Sequence, residues 1–379
     1  MYTYTFEKIS AIFYLLTAFS AAMLGFLFLT HRLKAHKANV FLVVFIWSLA
    51  YSLLNEFLAD EEVVELIGEK FFSFNSFLFI VPSLFLYIVS HSNKNEIKYW
   101  IWLYAPGVLV NIIPFQDPEL AEVFNGLLYM LISFPLMVLS MRYIKKYRKD
   151  LQSFYSTIDN RTLHWIRVLM LMVISLHVFM FVVELIIDEN SALDAIMDFI
   201  ESLVTFSIVY WVGVKGFQQY ELATPNTNAV EPPIIEVEKK CVEENCSLEV
   251  EENNLDTELH NKFECLCTLI EEHKIYTNPN LTIKSLSEQL TVRERELSNL
   301  INNCTKKNFH QFINQFRVLE FKRLIASDKA VQYSILGLAR DAGFSSKSTF
   351  YKVFKELEGL TPSEYKNRIN SPNTRSGTP

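Results

Sequence analysis

Ala339-Arg340-Asp341-Ala342-Gly343-Phe344-Ser345-Ser346-Lys347-Ser348-Thr349-Phe350 decides how the last third of this chain folds. Just before it, Ile335, Leu338 and Ala339 recur at helical spacing. Gly343 suits the left-handed residue that closes a helix, and Ser345 or Ser346 can open the next one, because a hydroxyl accepts from a backbone N–H that the first helical turn leaves unpaired. Phe350, Val353 and Phe354 give that second helix its buried side. The reading is helix, tight turn, helix. Upstream the pattern occurs once more: Ile283, Leu286 and Leu290 mark one apolar face, Thr291 to Glu294 reads as a capping box, and Leu297, Leu300 and Ile301 line the helix that follows. Phe309, Phe312, Ile313, Phe316, Leu319 and Leu324 lay out a long helix between the two pairs. Leu255, Leu259, Phe263, Leu266 and Ile270 begin the region with an amphipathic helix, and Thr361-Pro362-Ser363-Glu364 caps a short final one.

The run from Ala339 to Phe350, continued by Phe354-Lys355, Gly359 and Thr361-Pro362-Ser363-Glu364-Tyr365, resembles the C-terminal signature of the AraC-type (AraC/XylS) transcription regulators. Leu297-Ser298, Ile301-Asn302, Phe312-Ile313-Asn314 and Arg317 are similar to the same family's first half and connecting helix. The resemblance implies two helix-turn-helix units joined by one helix, each placing a recognition helix in the major groove of double-stranded DNA. The sequence departs from the pattern at Thr291, where the first turn often has Gly, and at Phe321, where the connecting helix often has Ala.

The chemistry of the two second helices agrees with that expectation. Binding DNA takes cations along the phosphates and a few side chains that reach base edges. Arg293, Arg295, Ser298, Asn299 and Asn302 avoid the apolar face of the first recognition helix, and Ser346, Lys347, Ser348, Tyr351, Lys352 and Lys355 avoid that of the second. Arg295 and Asn299 are the base-reading candidates, since Arg grips guanine and Asn grips adenine through two hydrogen bonds. Lys306, Lys307 and Lys355 are candidates for phosphate. Any single exposed Lys also fits a merely solvated face, so the ordered pair of motifs carries the inference.

Outward from this region the composition changes. Half of the 379 residues are hydrophobic and 20% are charged. Residues 1–218 hold 15 Lys and Arg against 19 Asp and Glu, residues 219–256 hold 2 against 10, and residues 257–379 hold 18 against 13. Three unlike pieces speak against one soluble enzyme. In the first, the stretches 9–29, 39–58, 71–90, 99–115, 123–141, 165–187 and 195–214 are apolar enough to cross a bilayer. Basic residues crowd alternate loops (Arg32, Lys34, Lys37; Lys94, Lys98; Arg142 to Arg167), while acidic ones such as Glu61, Glu62, Asp117 and Asp188 fill the others. Positive loops stay inside, which places the N-terminus outside and everything after Lys215 in the cytoplasm of a bacterial cell membrane. No cleavable signal peptide is read, because the first apolar stretch is too long and runs directly into basic residues.

The expected architecture is therefore all-α: a seven-helix transmembrane bundle over 1–218, an acidic flexible linker over 219–256, a double helix-turn-helix DNA-binding domain over 257–370, and a disordered tail over 371–379. Ile234, Val237, Cys241 and Leu248 have partial heptad spacing within the linker. The outer loops are short, so any signal is received within the bundle or at its mouth. His177, Glu184 and Glu201 are the candidates for a small-molecule or membrane signal, beside Glu56, Asn75 and Asn111; the plain alternative is carboxylates that reach interfacial water and polar groups that tie helices together. Besides DNA and the lipid bilayer, RNA polymerase and a second copy of the chain are candidate partners. Five cysteines without a CxxC pair indicate neither a disulfide framework nor a zinc site, and no cofactor or catalytic constellation is expected. A transporter or membrane enzyme with a DNA-binding regulatory tail is the competing reading.

Overall fold

The computed structural model describes residues 2–32, 38–59, 63, 74–92, 94–112, 118–158, 161–186, 192–223, 255–328 and 332–370. Every regular element among them is a helix. The chain divides into two compact units, residues 1–147 with 161–226, and residues 148–160 with 227–379. The linker reading falls almost wholly on 224–254, and the tail and the heptad on 371–379 and 234–248; these lie outside the described residues, as do most of the acidic loop positions.

The first unit contains α1 (Tyr2–Leu27), α2 (Asn39–Ala59), α3 (Phe77–Ser92), α4 (Ala105–Ile112), α5 (Pro118–Phe154) as far as Tyr147, α6 (His164–Ile186) and α7 (Ala192–Ala223). α3 is apolar on all sides and buried on all sides, with Ile80, Val81, Leu84, Phe85, Leu86, Ile88 and Val89 wholly enclosed. Such a helix belongs at the centre of a bundle. Its neighbours bury only one face each. Ile12, Phe19, Leu131, Phe179 and Tyr210 project outward and are more than half exposed. Large apolar side chains in that number are what a hydrocarbon solvent accommodates and water does not.

Among the described residues, five helical segments are long and apolar enough to cross a membrane: Lys8–Thr30, Asn39–Leu58, Val123–Phe154, His164–Val183 and Ile196–Gly216. The other two apolar stretches take different forms. The third becomes α3, whose 16 residues reach about 24 Å, short of a hydrocarbon core of roughly 30 Å. The fourth is not one helix. It runs as a helical turn Ile97–Trp100, a 3-10 turn Ile101–Tyr104 and then α4. Pro106 explains the break: it has no N–H, and its ring would collide with the carbonyl four residues earlier at Trp102, so the α-helix restarts at Ala105 with the proline in its first turn.

The second unit contains α8 (Leu255–Glu272), α9 (Ile283–Gln289), α10 (Glu294–Thr305), α11 (Phe309–Ile325), α12 (Ile335–Asp341), α13 (Lys347–Glu358) and α14 (Pro362–Asn370). Two cores share α11. Its first half, through Phe309, Phe312, Ile313 and Phe316, joins Leu266, Ile270, Leu286, Leu297 and Ile301. Its second half, through Val318, Phe321 and Ile325, joins Leu338, Ala339, Phe344, Phe350 and Phe354. Phe321 is fully enclosed, its ring 4.7 Å from that of Phe350 and 5.4 Å from that of Phe354, so the bulky departure from the family pattern is the centre of the second core. Leu319, read as part of the apolar face, is 52% exposed instead, because residues 318 and 321 already occupy the buried arc.

Between the two cores α11 carries a buried charge, Arg317, 1% exposed. Its Nε donates to the Tyr276 carbonyl at 2.8 Å and its Nη2 to the Asn278 carbonyl at 2.8 Å. One turn on, Glu320 accepts from Lys274 at 2.8 Å, Tyr276 at 3.1 Å and Arg323 at 3.1 Å. Burial alone would raise the Glu320 carboxyl, but the hydrogen bonds from Lys274 and Tyr276 and the charges of Lys274 and Arg323 outweigh it and hold it below its ordinary value.

Candidate nucleic-acid interface

Three of the four helices in the two pairs are started by a capping side chain. Thr282 caps α9: its Oγ1 accepts from the Ser285 N–H at 3.0 Å, while its own N–H donates to Ser285 Oγ at 3.1 Å. α10 follows after a tight turn closed by Val292 N–H to Ser287 O at 3.0 Å. Here the capping-box reading of Thr291 to Glu294 is corrected. The N-cap of α10 is Arg293, which makes no side-chain cap, and Thr291 takes φ +56°. A Thr acting as N-cap needs an extended backbone; the turn leaves room only for a left-handed one, which is why glycine is common at that place and why a β-branched residue there is strained.

The second pair follows its sequence signals. α12 ends into Gly343 at φ +98°, and a Cβ there would lie 2.5 Å from the Tyr276 carbonyl oxygen and 2.9 Å from Thr277 Cα. Glycine is required both by the turn and by the backbone pressed against it. Ser346 caps α13 by accepting from the Thr349 N–H at 3.2 Å. Thr361 and Glu364 form a reciprocal box at the start of α14, at 3.3 and 2.7 Å.

On α10 and its flanks, Arg293, Arg295, Asn299, Asn302 and Lys306 are exposed, and Ser298 and Lys307 are half-buried. On α13, Lys347, Ser348, Lys352 and Lys355 are exposed, with Ser346 and Tyr351 half-buried. Arg293, Arg295, Ser298 and Asn299 share the first half of α10 with the carboxylates of Glu294 and Glu296, which suit a helix N-terminus electrostatically. Lys306 occupies the opposite end as the left-handed C-cap, with Lys307 beside it, where cations offset the helix dipole. The Lys347 ammonium lies 5.6 Å from the Tyr351 ring centre, so these two side chains form one polar-aromatic patch on the first turns of α13. Lys355 sits in the last turn, a half-helix away from that patch.

Residues 286–368 match the family described as "Helix-turn-helix domain". They form an AraC-type helix-turn-helix domain. Regulatory protein PocR of Salmonella typhimurium is 25% identical over 95 residues, which is 25% of this chain and 30% of that protein. The chain thus spans under a third of the length of the curated relative it matches. No solved structure matches. Within the AraC-type domain, α10 and α13 are the second members of their helix pairs, packed by Leu297 and Ile301 in one case and by Phe350 and Phe354 in the other.

The polar candidates of the first unit divide differently. Asn75 and Asn111 tie to one another: the Asn75 N–H donates to Asn111 Oδ1 at 2.6 Å, and Asn111 Nδ2 donates to the Asn75 and Gly107 carbonyls at 3.0 and 2.7 Å. This is the helix-tying reading. His177 lies with its Nδ1 2.7 Å from the Val173 carbonyl and 3.1 Å from the Tyr129 hydroxyl, and the Phe77 ring meets it edge-on at 4.5 Å. The carbonyl can only accept, so Nδ1 carries the proton. Glu201 is half-buried on α7. Glu184 is on α6 with its side chain outside the described ones.

Sequence reasoning passed over Arg317 as more than a match to the family pattern, and over Ser156 and Thr157, which bind it (Arg317 Nη2 to Ser156 Oγ 2.9 Å, Nη1 to Thr157 Oγ1 3.1 Å). No local periodicity could have joined residues about 160 positions apart.

Proposed function

We propose that the protein is a membrane-anchored one-component transcription regulator, in which a signal received by the apolar bundle controls sequence-specific DNA binding by the AraC-type domain. The observation that carries this reading is an AraC-type domain whose two recognition helices present exposed polar and basic side chains, in a chain whose earlier part holds, among the described residues, five helices fit to cross a membrane. Arg295 and Asn299 read base edges from α10, with Arg293, Ser298 and Asn302 around them. Ser346, Lys347, Ser348, Tyr351 and Lys352 do so from α13, and Lys306, Lys307 and Lys355 hold phosphate. The likeness to a protein named as regulatory supports the transcriptional role. Seven crossings, an outside N-terminus and a cytoplasmic C-terminus are the topology proposed, with His177, Glu184 and Glu201 as the region where a small molecule or a membrane property is received. RNA polymerase and a second copy of the chain are the proposed protein partners.

Two measurements test it. Reporter fusions at residues 62, 152 and 379 should give outside, inside and inside; an outside C-terminus overturns the reading. Genome-wide DNA occupancy should show discrete sites for the full chain, and removal of residues 1–218 should change which conditions fill them. Occupancy without discrete sites would overturn sequence-specific binding.

A further inference from the structure

The second unit includes residues 148–160, far from the rest of it in sequence. Leu151, Ser156 and Ile158 are buried there, at 7%, 0% and 3% exposure. Tyr155 pairs with Thr282 in an antiparallel β-bridge, and the Ser156 N–H and Oγ both donate to the Leu281 carbonyl, at 3.1 and 2.7 Å. His310 Nδ1 meets the Ser156 carbonyl at 2.6 Å. Arg317 Nη1 donates to the Ser156 carbonyl at 3.3 Å and to Thr157 Oγ1 at 3.1 Å, and its Nη2 donates to Ser156 Oγ at 2.9 Å.

The remaining three hydrogen bonds of Arg317 go to Tyr276, Asn278 and Asn314, so half of its partners come from residues 156 and 157. All six acceptors are neutral oxygens. A buried guanidinium is tolerable only while its N–H groups are matched, and burial already pushes this one down to about 9. Without 156 and 157 the buried guanidinium would keep only its bonds to Tyr276, Asn278 and Asn314, with part of its donor set unmatched. The pocket is therefore built for an occupant that presents a carbonyl and two hydroxyls in an extended backbone, and the sequence Ser156-Thr157 supplies them.

We infer that the first helix-turn-helix unit carries a docking site for segment 151–158 of this same chain, making that segment a second tie to the DNA-binding domain besides residues 219–256. The segment begins in the last turn of α5, a 37-residue helix, and it grips Leu281 and Thr282. Thr282 is the N-cap of α9, the first helix of the reading pair. A change at the end of α5 then acts on the start of that pair through backbone hydrogen bonds. The docking site stands on the contacts alone; its regulatory meaning rests on the function proposed above.

The test uses the full chain in lipid nanodiscs, with a protease site inserted after Pro233. Oxidation of the Tyr155→Cys, Thr282→Cys double variant should keep the two fragments joined after cleavage until a reductant is added, while either single variant releases them. Adding Ser156→Ala and Thr157→Ala, which removes both hydroxyl partners of Arg317, should cut the joined fraction about tenfold. Amide exchange on the unmodified chain gives an independent reading: the Ser156 amide should be protected well beyond a free peptide. Fragments that separate as freely as in the single variants, or a Ser156 amide exchanging at the free-peptide rate, would overturn the docking site. Duplex binding by the same preparation is scored separately. Cross-linking without DNA binding keeps the docking site and removes the regulator reading; DNA binding without cross-linking does the reverse.

Discussion

Gly343→Ala measures how tightly the two halves of the AraC-type domain are pressed together, and Gly359→Ala is its control. Gly359 has φ +73° with nothing within 4 Å of where a Cβ would sit, so its substitution costs only the left-handed conformation, about 1 kcal/mol. Gly343 adds contact to conformation. A methyl there would sit 2.5 Å from the Tyr276 oxygen and 2.9 Å from both Thr277 Cα and its carbonyl oxygen, all backbone atoms that no rotamer change removes. Relieving it takes a shift of nearly 1 Å, in the range of overpacking costs of about 1–3 kcal/mol, for a total of about 2–4 kcal/mol. The shift also moves a carbonyl that accepts from Arg317 Nε at 2.8 Å. Amide exchange in α12 and α13 of the full chain reads the difference, since each 1.4 kcal/mol is about tenfold in the opening equilibrium. Gly359→Ala should speed exchange about fivefold and Gly343→Ala about thirtyfold or more. Equal effects, within about twofold, would refute the close approach.

Thr291→Gly should stabilise the first pair by about 0.5–1 kcal/mol, because relief of left-handed strain at φ +56° exceeds the extra chain entropy of glycine; urea unfolding followed by exchange in α9 and α10 checks it. Arg295→Ala should cost about 1–3 kcal/mol at one base position and relax preference there, whereas Lys355→Ala should weaken binding on all duplexes and lower the salt slope by roughly one charge; a uniform loss for both would contradict their assignment. Glu320 has a carboxyl lowered in the folded state, so its stabilisation is present above its ordinary value of 4.5 and is lost as pH falls below that. The stability difference between the wild type and Glu320→Gln should therefore be full at neutral pH and shrink on acidification beneath 4.5, and a difference independent of pH would reject the ion-pair account.

What could be read from sequence was what neighbouring residues determine. Gly343, Ser346 and the Thr361 to Glu364 box behave as their types and spacing demand, because a turn or a cap is settled within four residues. Thr291 misled for the same reason: Thr-x-x-Glu satisfies the capping pattern, but the length of the turn from Ser287 to Val292 fixes its backbone first. Hydropathy found the apolar stretch 99–115 and could not see that Pro106 divides it. Arg317 was the least legible. Its basic side chain in a basic domain resembles a DNA contact, and only the tertiary fold, by bringing Tyr276, Asn278 and Ser156 around it, turns it into an interior cation.

The sharing of α11 by two cores acts as a ruler. Its 17 residues give a rod of about 25 Å, less than one turn of B-form DNA at roughly 34 Å. Inserting a single residue between Phe316 and Phe321 would advance the second core by about 1.5 Å and swing it through about 100°, burying the wrong face of α11 against α12 and α13. The exposed side chains on α10 and α13, such as Arg295, Asn299 and Lys352, can change one at a time without that penalty, since they lie outside both cores. Over evolutionary time the letters that such a domain reads are free to drift, while the interval between its two reading heads is held by the interior of the protein.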